Sequence, residues 1–255
     1  MTMPSRVPTL ILLATLLAAG PTAAAQSSGG PTQRWPFLPK ERLVYDVRFA
    51  VWGADARIGT GVMDLEDATT LDGRDVFHAV FSMKGGTFFF HVNDVMESWF
   101  DVNTLATYRF VQHLEEGGKK YDRTYRFFPE FMTYQQEGKL AMPSVPDPLD
   151  DIAFMYFVRT QPLVVGETYT YNRYFDPDAN PVIVKVLRTE RISVPAGDFD
   201  AIVIQPLIKT SGIFSEGGRA ELWLANDSTR MLLQMKTRLN FGAIGIYLRS
   251  ARAGK

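Results

Sequence analysis

The stretch Pro146-Asp147-Pro148-Leu149-Asp150-Asp151-Ile152-Ala153-Phe154-Met155-Tyr156-Phe157-Val158-Arg159 decides the fold. It predicts one short helix near residues 148–160 in a chain that otherwise reads almost wholly as strand. Asp147 is placed to cap the helix, and Pro148 suits the first helical position, where a missing N–H costs nothing. Asp150 and Asp151 put negative charge in the first turn, where the helix dipole favours it, and Pro162 stops the helix. Every residue from Ile152 to Val158 is apolar, so no face of this helix suits water. The expectation is a helix enclosed by sheet; a lid over a binding mouth is the alternative.

Outward from the helix, alternation dominates. Leu43, Tyr45, Val47, Phe49 and Val51 share one side of a strand over Arg42–Trp52, with Arg42, Asp46 and Arg48 on the other. Further strands follow at 57–66, 75–84, 95–101, 106–114, 119–128 and 131–136, broken by turn signals at Gly53-Ala54-Asp55, Asp72-Gly73 and Glu116-Gly117-Gly118. After the helix come strands at 166–174, 181–194, 199–209, 219–225, 230–239 and 243–249. About a dozen strands at regular spacing define an all-β chain: a large curved antiparallel sheet, as a barrel, half-barrel or sandwich, around one apolar helix. Residues 41–255 are expected to form one β-rich domain.

The chain has 255 residues, with 27 Lys plus Arg against 28 Asp plus Glu. A net charge of −1 offers no overall electrostatic footprint for nucleic acid or an anionic membrane surface. The absence of cysteine removes thiol nucleophiles, disulfides, thiolate metal sites and the acylated cysteine of a lipoprotein together. Arg6, the apolar run Leu10 to Ala19 and Ala23-Ala24-Ala25 read as an export leader cleaved after Ala25, too short to span a bilayer. Residues 26–40 form a loose Gly, Ser and Pro-rich arm. The expected location is the periplasm, and the mature chain is expected not to be an integral membrane protein. An outer-membrane barrel is excluded because its lumen is polar, whereas an apolar helix needs an apolar interior.

Certain residues form a recognisable set: Arg159, Leu163 and Gly166 after the helix; Arg188-Thr189-Glu190-Arg191-Ile192 running into Val194-Pro195-Ala196-Gly197-Asp198-Phe199-Asp200; and Leu222-Trp223-Leu224 followed by Asn226-Asp227 and Arg230. With Tyr45-Asp46-Val47, Glu97-Ser98 and Asp101, the chain resembles the exported bacterial proteins grouped as domain of unknown function 3108. Asp198 stands where that family often has Thr, a change at a surface turn. The resemblance covers nearly all of the mature chain. It implies export and a β-rich fold, and it brings no catalytic residue with it.

Few residues suggest chemistry. His78, His91 and His113 lack the spacing of a shared metal site, so no metal or cofactor is expected. Glu97 and Asp101 share a strand face near Asp94, but a solvated strand face, or ion pairs with Arg109 or Arg123, explains such carboxylates better than catalysis does. Ser98 has no Gly-x-Ser-x-Gly elbow, Gly59-x-Gly61 lies within a strand, and Gly85-Gly86 and Gly117-Gly118 read as hairpin glycines. Phe88, Phe89 and Phe90 follow Gly85-Gly86, and alternation cannot bury three consecutive aromatics on one side. Gly212-Ile213-Phe214 and Phe241-Gly242-Ala243-Ile244 are weaker versions of the same signal.

Three functions stay open. A non-enzymatic envelope binding or carrier protein would hold a lipid or other hydrophobic small molecule, with Phe88, Phe89, Phe90, Phe154 and Phe157 as candidate contacts. A structural or assembly factor would instead bind another envelope protein through a sheet edge or apolar patch. A periplasmic hydrolase would use Asp94, Glu97 or His78. A filled interior would favour assembly, and an apolar cavity the carrier.

Overall fold

In strand β1 (Arg42–Val51), Leu43, Tyr45 and Val47 are buried and Arg42 is exposed, so the predicted alternation sets the face the strand turns to the core. A computed structural model of the protein describes residues 35–51, 54–87, 90–209, 220–239 and 242–254. The proposed leader, most of the arm, Phe88, Phe89, Gly212-Ile213-Phe214 and Phe241 lie outside these residues.

From β1 the chain runs through β2 (Ala54–Leu65), β3 (Thr69–Leu71), β4 (Arg74–Thr87), β5 (Phe90–Asp101), β6 (Thr107–Glu116), β7 (Lys119–Phe128), β8 (Thr133–Gln136) and β9 (Ala141–Pro143) to helix α1 (Asp151–Arg159). It continues as β10 (Thr168–Tyr171), β11 (Val182–Val194), β12 (Gly197–Leu207), β13 (Glu221–Ala225), β14 (Leu232–Leu239) and β15 (Gly242–Arg252). The described strands form one 15-stranded antiparallel sheet, ordered β10-β11-β12-β13-β14-β15-β1-β2-β4-β5-β6-β7-β8-β9, with β3 paired to β4. Within each half of the chain the order is a meander. The join is the ladder between the first and last strands, in which Asp46 faces Tyr247 and Arg48 faces Gly245.

Fifteen strands exceed the expected dozen because β3 and β9 have only three residues each, too few to show an alternation. The segment 131–136 divides into a 3-10 turn over Pro129–Phe131 and the four-residue β8. Gly85 and Gly86 are not turn residues; they lie inside β4. Gly85 pairs with Gly59 of β2, and a Cβ on Gly85 would come within 2.4 Å of the Ile58 carbonyl oxygen. The glycines therefore let two backbones approach closely.

The helix starts later than the sequence suggests. Asp150, not Asp147, is the cap, accepting from the backbone N–H groups of Ile152 and Ala153. Asp147 adopts a left-handed φ of 47°, and Pro148 precedes the helix rather than opening it. The intervening backbone is already engaged in tertiary bonds: the Pro148 carbonyl accepts from Thr107 N–H, and Leu149 forms a parallel bridge with Tyr174. At the other end Thr160 caps a helix that finishes at Arg159, ahead of Pro162.

Residues Ile152 to Arg159 are all buried, so the sheet encloses the helix. Tyr156 packs on Phe37 and Phe100, and Phe157 sits edge-on to Tyr171 of β10. Phe175, just after β10, meets Tyr125, Phe127 and Tyr134 of β7 and β8. The two ends of the sheet thus approach each other around the helix. No ladder joins β9 to β10 among the described residues, so the sheet is an open half-barrel whose seam is filled by aromatic rings.

Candidate functional site

The helix-facing side of the sheet holds three charged or polar groups that sequence reading left unassigned. Asp150 is fully buried; besides capping the helix, its Oδ2 accepts from Ser98 Oγ at 2.5 Å and Thr107 Oγ1 at 2.9 Å. Burial pushes its carboxyl up to about 6, with the hydrogen bonds from Ser98, Ala153 and Thr107 acting in the opposite direction. At the other end of the helix, the buried Arg159 guanidinium makes a fork with Glu41, at 2.6 and 2.8 Å, and donates to the Thr229 carbonyl. Tyr45 donates to the Leu232 carbonyl at 3.0 Å. These groups answer one another out of solvent, which makes them fold elements; Ser98 in particular is enclosed with its hydroxyl committed to Asp150.

The candidate carboxylates do not converge. Asp94 pairs with Met83 on the helix-facing side and accepts from Glu115 N–H at 3.0 Å, whereas Glu97 faces the other way. Glu97 meets His78 Nε2 at 2.9 Å, and Glu66 meets His78 Nδ1 at 2.8 Å. His78 stacks on Trp99, and Arg109 lies over the same indole at 5.0 Å. Arg109 and Arg123 therefore do not neutralise Glu97 and Asp101 as expected: Arg123 turns to Gln112 and Tyr121. Asp101 instead accepts from the Asn103 and Thr104 N–H groups in a turn. His113 pairs with Asp122, and no group of three His, Cys, Asp or Glu suited to a metal occurs among the described residues.

Of the aromatic candidates, Phe154 and Phe157 are buried in the core, the latter beneath the Arg173 guanidinium at 4.9 Å. Phe90 opens β5 opposite Thr87, and Phe88 and Phe89 lie outside the described residues.

On the face away from the helix, a groove of about 400 Å³ crosses β14, β15 and β1. Its residues come from rows set by strand register. Lys236, Gly245 and Arg48 lie side by side on β14, β15 and β1, and Arg238, Ala243 and Ala50 form the next row. Glu221 extends the first row onto β13. Tyr247 is half-buried and Trp223 is buried with only an edge reaching the groove, with Lys236 Nζ 5.4 and 5.8 Å from their ring centres. Trp223 is held by donating to Glu190 at 2.5 Å, and Arg188 bridges Glu190 and Glu221. Arg48 pairs with Asp55 at 3.0 Å.

In this lining, four cations face two carboxylates. Lys236 and Arg238 have no carboxylate within salt-bridge distance among the described residues. Sequence reading named only Ala243 and Ile244 of this groove as a weak candidate, because its charged contributors are single residues spread over several strands. Only the order of the strands brings them together.

The architecture defines a class: an open, barrel-like antiparallel sheet around one enclosed helix. It is shared with a β-barrel-like protein of domain of unknown function DUF1849 from Brucella abortus, at TM-score 0.55 and 11% identity over 86% of this chain and 99% of that one. A lipoprotein candidate from Parabacteroides distasonis aligns at TM-score 0.37, with 13% identity over 86% and 98% of the two chains. An exported-protein candidate with a YmcC-like fold from Bacteroides fragilis aligns at 0.32, with 11% identity over the same shares. No curated protein matches the sequence. The chain belongs to the family described as "Protein of unknown function (DUF3108)", whose model matches residues 44–249. No described helix is long and apolar enough to cross a membrane.

Proposed function

We propose that this is an exported, periplasmic cell-envelope protein that binds a lipid-like molecule without transforming it, and that the molecule lies in the outer groove. The observation that carries the reading is the groove's composition, in which Trp223, Tyr247, Ile244 and two alanines adjoin a cationic rim. Such a surface suits an amphiphile with an apolar stem and a polar head. The leader-like start of the sequence supports export. Phe154 and Phe157 are buried against the sheet, and this reading therefore puts the ligand on the outer face rather than in the interior or mouth considered from the sequence.

A brominated-chain maltoside titrated into the mature protein tests this, since bromine quenches indole fluorescence on contact. Saturable quenching is expected, reduced in Trp223→Phe. Quenching that is absent, or equal in that variant, would overturn the reading.

The filled interior also favours a second reading, an assembly factor that binds other envelope proteins. Phe131 and Leu140, 71% and 86% exposed, flank Met142 on the edge strand β9. An exposed apolar edge can accept a partner's strand. If the second reading holds, Leu140→Lys would abolish partner capture and leave amphiphile quenching unchanged.

A further inference from the structure

We propose that the outer groove is a phosphate-binding site, with the phosphate seated over Ala243, beside the Tyr247 ring, between Arg48, Lys236 and Arg238. The proposal deepens the amphiphile reading by naming the ligand's head group, and it rests on that reading only for the apolar stem.

The geometry starts with register. Arg48 and Lys236 both pair with Gly245, one from each side. Neighbouring strands lie about 4.8 Å apart, which sets these two backbones about 10 Å apart with a residue lacking a side chain between them. Arg238 is two positions further along β14, about 7 Å from Lys236, and its own neighbour Ala243 is small. Three cationic side chains therefore surround the Ala243 end of these rows, while the Tyr247 ring edge and the Lys236 stem lie over Gly245. Gly245 cannot easily change, since a Cβ there would lie 3.0 Å from both the Met235 carbonyl oxygen and Tyr247 Cε2.

Charge decides what such a cluster would hold. Arg48 is answered by Asp55, and Arg188 by Glu190 and Glu221. The nearby Asp46 lies between Arg57 and Arg249, at 2.8 and 3.4 Å. Lys236 approaches two aromatic rings beside its cross-strand neighbour Glu221 and joins Arg188 and Trp223 in holding Glu190 below the usual carboxylate range, whereas Arg238 forms no ion pair among the described residues. Arg238 in a half-enclosed groove thus lacks an anion among the described residues, and the lining holds four cations against two carboxylates although the whole chain is almost neutral. A tetrahedral, multiply charged oxyanion offers acceptors to three donors at once, and a guanidinium fork matches two of its oxygens. The phosphate could be free or the head of a lipid.

Titration calorimetry of the mature protein with inorganic phosphate tests the site directly. Saturable binding is expected, about tenfold weaker in Arg238→Gln and again in Lys236→Gln, as fits the loss of one charge-assisted hydrogen bond each. Arg191→Gln, a change of an exposed arginine near Asp198 and Asp200 at the β11–β12 hairpin, should bind as the parent does. Equal thermal midpoints would show that the groove variants are folded. Absence of saturable heat, or equal affinity in parent and groove variants, would overturn the proposal.

Co-sedimentation with phosphatidylcholine vesicles, with and without phosphatidic acid, then separates the sources. Retention that needs phosphatidic acid and is lost in Arg238→Gln assigns the site to a lipid head. Phosphate binding without vesicle retention assigns it to a free phosphate or soluble ester. Binding of the brominated maltoside without phosphate binding would end this proposal and leave the amphiphile reading standing. The reverse result would end only the amphiphile reading.

Discussion

The two faces of the sheet treat charge in opposite ways. On the helix side, Arg159 meets Glu41 in a two-point fork, and Asp150 accepts two hydroxyls and two backbone N–H groups. On the outer side, Arg238 stands in a groove without an ion pair among the described residues, and Lys236 has no carboxylate within salt-bridge distance there. Burial explains the difference. An unanswered charge inside would cost several kcal/mol, so enclosed charges such as Arg159 need a partner within the chain. At the surface water supplies the solvation, and a cation can remain available for a ligand. The contrast predicts that inner-face substitutions damage folding and outer-face substitutions damage binding.

The largest effect is expected at the buried ion pair. Glu41→Ala leaves the Arg159 guanidinium enclosed without its carboxylate and should destabilise by about 3–5 kcal/mol, the range for breaking such a pair from one side. A double-mutant cycle with Arg159→Met sharpens the expectation, since removing both charges should recover much of the loss. Additive losses in urea unfolding would mean that the two residues act separately.

Phe154→Ala and Phe157→Ala should cost as much, about 3–5 kcal/mol each, because both rings are enclosed. For an ordinary domain that is a large fraction of total stability. A thermal midpoint for Phe157→Ala within about a degree or two of the parent would instead fit a helix that acts as a lid.

Asp150 should produce a pH effect of unusual sign. Its carboxyl titrates near 6 in the folded protein and near 3.9 in an unfolded chain, so between about pH 4 and 6 the native state holds more protons. Stability from this group is therefore greatest below about pH 4 and falls as pH rises to about 6, by about 3 kcal/mol at most. Asp150→Asn keeps an N-cap side chain but does not ionise. Its unfolding free energy relative to the parent should improve between about pH 4 and pH 7. A difference independent of pH would show that the carboxylate is not held near 6.

What the sequence revealed follows from the same physics. Alternation in β1 and the apolar run Ile152 to Val158 were legible because burial acts on a periodic local pattern. The helix cap was misplaced by three residues: Asp147 and Asp150 have equal capping chemistry, and the choice depends on Thr107 and Tyr174, which are distant in sequence. The pairing of β1 with β15 was not legible either, since no local pattern in Asp46-Val47-Arg48 identifies Gly245 or Tyr247 as neighbours. The groove depends on that ladder. Net charge also concealed it, because a sum of −1 does not record that Arg48, Lys236 and Arg238 gather at one place.

The smallest expected effect on folding is at Arg238. Its side chain is on the exposed face of β14, and no hydrogen bond or ion pair fixes it among the described residues. Exposed substitutions without such ties usually change stability by less than about 0.5 kcal/mol. Arg238→Gln should therefore unfold within about that margin of the parent in phosphate-free buffer. Added phosphate should then separate the two proteins, because a ligand that binds only the native state raises the midpoint in proportion to the logarithm of its concentration. The parent should gain stability with phosphate and the variant much less. If Arg238→Gln is already destabilised by more than about 1 kcal/mol without phosphate, the arginine is a structural element like Arg159, and the contrast between the two faces fails at the residue where it should be clearest.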